Sequence, residues 1–363
     1  MYNVLISIFI SICVLVIYFE IQKLFIQRKL RNFSTPKQYP IIGYAYRLFG
    51  VSNEGIVEII LKSYREMDKT PFFCWFGSVL TICVAEPHDI QAILTNDNCL
   101  NKPYFYKQMK CPTSIIATNR ETWKPHRRAL NASFNIRLLQ MYVPSLNEKA
   151  KILVNKFRPS VEKCDDFYRL IFIGMMDTII RTTMGIDLNL QRTEKGRFFF
   201  NIVKILMNNI QYRLARFWLR WDFIYSFTSA YRNEKIPLEK GNNLIDEIYD
   251  KRIETLTKLH GLDPIDFAYL EDAKQRNGTN VLDKCLILER EGILSNEYVK
   301  DQMRVILLAG IDTSSITIFT TLLLLGIHQK EQKIVIDELK SIFDTVDSDV
   351  TYEHLSKLNY MER

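Results

Sequence analysis

Glycine is scarce in this chain, 13 residues of 363, about half the usual share of roughly 7%, which argues against Gly-rich phosphate loops and turn-dense β sandwiches. Histidine is scarcer still: His88, His126, His260, His328 and His354 are the full set, and no two stand at metal-ligand spacing. The chain has no HExxH, no GxGxxG, no Gly-rich loop ending in Gly-Lys-Ser and no GxSxG elbow. The common hydrolase chemistries are therefore poorly supported, and any reaction served here is expected to borrow a cofactor. The excess of basic over acidic residues is also less than it first looks. Of the net +7, Lys23, Arg28, Lys29, Arg31 and Lys37 against Glu20 place +4 between residues 20 and 37. The rest is near balance, so there is no electrostatic footprint for nucleic acid.

Apolar and aromatic residues are plentiful, at 47% and 12% with 25% charged, enough for a large core and incompatible with disorder. With so little glycine, a mostly helical protein is expected. Residues 1 to 19 carry no charge, and only Asn3, Ser7 and Ser11 interrupt the apolar run. At about 1.5 Å per residue this just crosses a hydrocarbon layer. Tyr18 and Phe19 occupy the place where a signal peptidase needs small residues. Residues 1–22 are therefore expected to be an uncleaved single-pass anchor, with the basic residues from Lys23 onward on the cytoplasmic side. Cys13, Cys74, Cys83, Cys99, Cys111, Cys164 and Cys285 would then lie in the anchor or the reducing cytosol, without a CxxC pair, and disulfides are not expected. By the same topology the sequons at Asn32, Asn131 and Asn277 should be unmodified.

Pro36 and Pro40, followed by Ile41, Ile42 and Gly43, read as the stiff end of a hinge over 23–43. A helix-like stretch runs from Glu54 to Met67. Two β-rich runs, Phe72 to Phe76 and Val79 to Ala85, flank Gly77 and Ser78 as a hairpin. Beyond Pro87 the apolar spacing is helical and no linker divides the chain, so residues 44–363 read as one body. Residues 213 to 232, with Arg213, Arg216, Trp218, Arg220, Trp221 and Phe223, suit a membrane interface and equally suit a helix pair with aromatic core residues and snorkelling arginines.

Two segments carry candidate chemistry. Ser295 is placed to cap a helix of some thirty residues reaching Ile327. Its centre, Ala309, Gly310, Ile311, Asp312, Thr313, Ser314, Ser315, puts a glycine, an acid and three hydroxyls inside an apolar rod. An acid beside a hydroxyl can relay protons, and a glycine lets a ligand approach the backbone. The alternative is a core helix whose Thr and Ser bond back to the carbonyl four residues earlier. In Trp123-Lys124-Pro125-His126-Arg127-Arg128, an indole N–H and a guanidinium four residues apart share a helix face and can donate to one anion. The plain alternative there is a solvated basic helix end.

Together these features resemble the microsomal cytochrome P-450 haem-thiolate monooxygenases. The hinge Pro-Ile-Ile-Gly at 40–43, the segment at 123–128 and Ala-Gly-Ile-Asp-Thr-Ser at 309–314 occur in that family's order and approximate spacing. Asn131 to Asn135, Met184 to Gln191 and Trp221 to Tyr225 look like its family-4 clan, particularly insect members. The resemblance implies a cytochrome P-450 fold, mostly α with a small β portion near the N-terminus, following one transmembrane helix. It implies haem held at a propionate by Trp123 and Arg127, bordered by Ala309 and Gly310, with Asp312 and Thr313 supplying protons during oxygen activation. It also implies a hydrophobic substrate such as a fatty acid, hormone-like lipid or xenobiotic, electrons from an NADPH cytochrome P-450 reductase, and residence in the endoplasmic reticulum membrane.

Two departures matter. Many family-4 members carry a haem-esterifying Glu just before the helix glycine; Ala309 stands there, so noncovalent haem is expected. The family's Glu-x-x-Arg motif, and the Gly-rich loop with the axial cysteine, come after the point where this sequence reads Tyr360, Met361, Glu362, Arg363. The fold is expected to be incomplete at the C-terminus and the metal ligand absent. These 363 residues are then expected to be inactive on their own, either as part of a monooxygenase or as a catalytically inactive, membrane-anchored truncated product.

Overall fold

The computed structural model describes residues 2–67, 71–131, 133–157, 164–260 and 280–362. The sequon at Asn277 and the terminal Arg363 lie outside them. The chain divides into two compact units, residues 1–108 with 207–233, and residues 109–206 with 234–363. Both divisions within 200–240 fall inside helices, which is why no linker composition marks them.

In the first unit, α1 (Tyr2–Lys29) is long and apolar enough to cross a membrane, with mean hydropathy 2.7 over its central window and none of that window buried. The helix continues seven residues past the expected anchor boundary, so Lys23 lies within it. Lys23 is 7% exposed. Its Nζ pairs with Glu20 at 2.6 Å and sits 5.7 Å from the centre of the Trp75 ring, while Glu20 accepts from the Ile41 N–H at 3.1 Å. The C-terminal part of α1 is thereby tied to the Pro-Ile-Ile-Gly segment.

Helix α2 (Asn53–Glu66) follows, capped by Ser52, whose hydroxyl accepts from the Gly55 N–H. Strands β1 (Phe72–Phe76) and β2 (Val79–Cys83) form the expected antiparallel hairpin, Phe76 opposite Val79 and Phe72 opposite Cys83. Gly77 takes φ 62°, as a two-residue hairpin turn requires. A Cβ there would also stand 2.6 Å from the Phe217 ring, so the turn packs directly under the aromatic segment. Gly43, at φ 64°, lies against the Trp75 carbonyl with no room for a Cβ. The small helix α3 (Pro87–Thr95) completes the N-terminal run.

Segment 213–232 resolves into an inner and an outer set. Leu219, Tyr225 and Ala230 are buried together. Arg213, 4% exposed, holds the segment's fold: Nε donates to the Leu219 carbonyl at 2.9 Å, Nη2 pairs with Asp222 at 2.5 Å, and the guanidinium lies 4.3 Å from the Tyr225 ring centre. Trp221, Phe223 and Phe227 are 47%, 74% and 68% exposed. The inner set matches a helix pair and the outer set presents aromatic surface, so both readings describe part of it.

The second unit is a helical body. Helices α4 (Arg120–Asn131), α5 (Ile136–Phe157) and α6 (Cys164–Ile179) are followed by a π turn over Ile180–Met184. Helices α7 (Glu194–Leu214) and α9 (Ser229–His260), with the short α8 (Asp222–Ser226) between them in sequence, pass from one unit's residues to the other's. Then come α10 (Val281–Arg290), α11 (Asn296–Ile327), α12 (Gln329–Ile342) and α13 (Tyr352–Leu355). The core gathers Phe172, Met176 and Ile180 from α6 and its π turn, Ile245 and Ile248 from α9, Leu282 and Leu286 from α10, and Val299, Met303, Leu307 and Ile311 from α11. Buried charges are paired: Lys149 lies between Asp177 at 3.1 Å and Asp187 at 2.8 Å, and Arg252 grips both oxygens of Asp283 at 2.7 Å.

Candidate functional site: the open face of α11

Ser295 caps α11 through its hydroxyl, which accepts from the Tyr298 N–H at 3.1 Å. The helix then runs unbroken through Gly310. Its hydroxyls bond backwards: Thr313 Oγ1 donates to the Ala309 carbonyl at 2.5 Å, Ser315 Oγ to Ile311 at 2.6 Å, and Thr317 Oγ1 to Thr313 at 2.9 Å. These bonds let the polar centre remain helical. The same residues face different ways. Ile311 and Ser315 are buried, whereas Ala309, Thr313, Ile316, Thr317 and Thr320 are exposed. At about 100° per residue the exposed set falls in one stripe. It joins one small residue and one isoleucine to three threonines, a surface that is mainly apolar in contact and carries hydroxyls at regular intervals.

Gly310 is off this stripe. A Cβ on it would stand 3.1 Å from Ile179 Cδ1, so the glycine serves the close crossing of α6 behind α11. The expected pair therefore divides: Ala309 stands on the open stripe and Gly310 is turned to α6. Asp312 is half-buried at the stripe's flank. Its negative charge reaches Tyr168 on α6, whose phenol is pushed above its usual value first by burial and then by that carboxylate. Tyr168 packs edge-on against Phe319, 5.5 Å between ring centres, two turns beyond Asp312.

Two contacts that sequence reading passed over fix α11 in place. Asp301, 2% exposed, accepts from the Thr113 N–H at 2.9 Å and its hydroxyl at 2.7 Å, and also pairs with Arg304. Arg304 Nε in turn donates to Asn242 on α9 at 3.1 Å. An acid and an arginine three apart near a helix start is a signal the sequence does carry. The second contact is His126, whose ring meets Tyr298 at 4.3 Å in an edge arrangement. Burial holds the His126 imidazole below its ordinary value, and its Nδ1 is enclosed without a partner. Thus α4 is seated on the first turn of α11.

On α4, Asn119 caps the helix through its side chain, accepting from the Thr122 N–H at 3.2 Å. Trp123 is half-buried. Arg127, one turn on, is exposed and forms no ion pair among the described residues. The helix thus offers a guanidinium to an external anion on the same stripe as the indole. Tyr298 and Ala309 are eleven residues apart on α11, a rise of about 16 Å. The structure places both candidate groups in one unit. Elsewhere in that unit a surface groove of about 570 Å³ between α5 and residues 349–352, lined by Asn147 and Lys151 among others, includes none of them.

The described cysteines offer no counterpart to this face. Cys74, Cys111 and Cys285 are buried, and burial raises the Cys285 thiol to about 12. Among the described residues no cluster of three or more His, Cys, Asp or Glu is placed to hold a metal.

Comparison with known sequences supplies the class: the cytochrome P450 family profile matches residues 34–363. The chain belongs to the cytochrome P450 family. It is 25% identical over 297 residues to cytochrome P450 4c3 of Drosophila melanogaster, covering 79% of this chain and 55% of that protein. To cytochrome P450 4g1 of the same species it is 25% identical over 365 residues, covering 93% and 65%. To cytochrome P450 4V2 of Mus musculus it is 24% identical over 341 residues, covering 91% and 63%. These relatives make it family-4-like. The chain spans between 55% and 65% of their length.

Proposed function

We propose that this chain provides the propionate-binding and oxygen-activating parts of a haem-dependent monooxygenase that inserts one atom of O2 into a hydrophobic substrate. The observation that carries the reading is the open stripe Ala309–Thr313–Thr317 with Asp312 at its flank, in a chain of the cytochrome P450 family. Haem supplies the redox chemistry when bound; the chain's residues supply the rest. Trp123 and Arg127 hold a propionate by paired N–H donation. Ala309 borders the cofactor face and, having no carboxyl, leaves it noncovalently held, while Gly310 lets α6 pack close behind it. Thr313, whose hydroxyl donates to the Ala309 carbonyl, keeps its oxygen lone pairs available to accept a proton donor. Asp312, half in solvent, renews the proton from outside.

The same proposal includes a reductase carrying electrons from NADPH, and anchorage in the endoplasmic reticulum membrane through α1 with the body on the cytoplasmic side. The unburied apolar window of α1 and the exposed Trp221, Phe223 and Phe227 support a lipid partner. The substrate class is a fatty acid, a hormone-like lipid or a xenobiotic. Cys74, Cys111 and Cys285 are enclosed, and these 363 residues by themselves are proposed to take up haem weakly and to be inactive.

The test is NADPH- and reductase-dependent oxygen insertion into a fatty-acid panel by the native gene product, beside its Thr313→Ala variant. The reading predicts product from the native protein and a fall on the order of 100-fold in product per NADPH consumed for the variant. Equal yields would remove Thr313 from its role. Absence of both haem and turnover in the native protein would favour the inert, membrane-anchored alternative.

A further inference from the structure

The hairpin brings two thiols together. Cys74 pairs with Thr81 and Cys83 with Phe72 across the ladder, so both cysteines stand on one face as diagonal neighbours. Their environments differ: Cys74 is 2% exposed, whereas Cys83, at the strand end, is half-buried and open to small solutes. The ladder is short, ending at the Gly77–Ser78 turn on one side and at Cys83 on the other. A diagonal pair lies about 7–8 Å apart at Cα, just beyond the usual span of a disulfide, so closing it requires the hairpin to twist against the Ser34–Phe72 bridge.

We propose that Cys74 and Cys83 form a peroxide-sensitive dithiol, in which Cys83 is oxidised first and Cys74 resolves it to a disulfide. The Cys83 thiolate attacks the O–O bond of hydrogen peroxide. An S–O bond forms, and the departing hydroxide takes a proton to become water. Cys74 then gives up its proton and attacks the Cys83 sulfur; the S–S bond forms as the S–O bond breaks, and the hydroxyl leaves as a second water with that proton. Two thiols and one peroxide yield one disulfide and two waters, the two electrons passing from sulfur to oxygen. The neighbouring Cys74 thiol lowers Cys83 to about 7, while the same contact and then burial push Cys74 up. This division suits an attacking and a resolving thiol. The consequence is local to the entry segment: Trp75 N–H donates to Gln38 at 2.6 Å, Phe73 N–H to Ser34 at 3.0 Å and Gly77 N–H to Ile42 at 3.0 Å. A change of hairpin twist is thereby felt by residues 34–43.

The full chain in membranes, exposed to graded hydrogen peroxide, alkylated and mapped by mass spectrometry, tests this. Cys74 and Cys83 are expected to vanish together from the alkylated pool as one bridged fragment, about fivefold faster than the exposed Cys99, and to return with dithiothreitol. In Cys74→Ser, Cys83 should yield a dimedone adduct and no bridge within the hairpin. Loss of Cys83 with Cys74 still fully alkylated in the native sequence, or oxidation of Cys83 no faster than Cys99, would overturn the proposal without need of the variant.

Discussion

Helices α1 and α11 pass the same test of length and apolarity, with mean hydropathy 2.7 and 1.7 over their best windows, and they do opposite things. In the apolar window of α1 the interruptions are small hydroxyls and an amide, Ser11 bonding back to Ser7 at 2.8 Å, and none of that window is buried. In α11 the interruptions are charged or clustered, and each has its own place: Asp301 tied to Thr113 and Arg304, Ser315 buried against Ile311, Thr313 on the open stripe, Asp312 at its flank. Mean hydropathy identifies a rod; the partners of its polar residues say what the rod is for. A helix apolar all round is stable only among other apolar groups. In α11 Ile311 and Ser315 are enclosed while Ala309, Thr313 and Thr317 are open.

Substitutions can break or sharpen this contrast. Asp301→Ala should have the largest effect, lowering stability by about 3–5 kcal/mol because Arg304 and the Thr113 donors lose their partner in a buried place; denaturant midpoints would show it. Ser11→Ala in α1 should stay within about 0.5 kcal/mol. A charge reverses the order. Leu15→Arg should cost about 2.5–3.5 kcal/mol of membrane insertion, read as a shift from pellet to supernatant, whereas Thr320→Arg on the open stripe of α11 should leave the fractionation unchanged. Gly310→Val should cost about 1–3 kcal/mol by overpacking Ile179, and Ile179→Ala should relieve part of it in the double variant.

The smallest effect concerns pH. The His126 imidazole sits below its unfolded value of 6.5 because burial disfavours its charge. The unfolded chain therefore takes up that proton first: the contribution is intact above 6.5 and is lost as pH falls from there through the folded value. His126→Phe, which keeps a ring against Tyr298, should flatten the fall in stability below pH 6.5 relative to the unsubstituted protein.

The helical class, the hairpin and the α11 boundaries were legible because each rests on local chemistry: Gly77 and Ser78 at the turn, Ser295 at the cap, apolar spacing between. The reach of α1 to Lys29 was not, because Lys23 meets the Trp75 ring and Glu20 the Ile41 N–H, contacts made across the chain. Gly310 shows the limit most clearly. Its lack of a side chain marks a close approach in sequence, but only the position of α6 says that Ile179 is what approaches. Arg213 is similar: its sequence surroundings suit equally a membrane interface and a helix pair with snorkelling arginines, and it is enclosed, holding Leu219, Asp222 and Tyr225. His126 and Asp301, which seat α4 and the 113 segment on α11, carried signals weaker than those of their more conspicuous neighbours Trp123 and Asp312.

The contrast between the two helices is tested most directly by the accessibility of a thiol placed on each, Leu15→Cys on α1 and Thr313→Cys on α11, in the full chain in membranes with a membrane-impermeant maleimide, against the parent's own cysteines. The cysteine at 313 is expected to label rapidly and that at 15 only after detergent is added. Equal labelling of the two, or protection of position 313 by lipid alone, would contradict the proposal that the open stripe of α11 faces a ligand and not lipid.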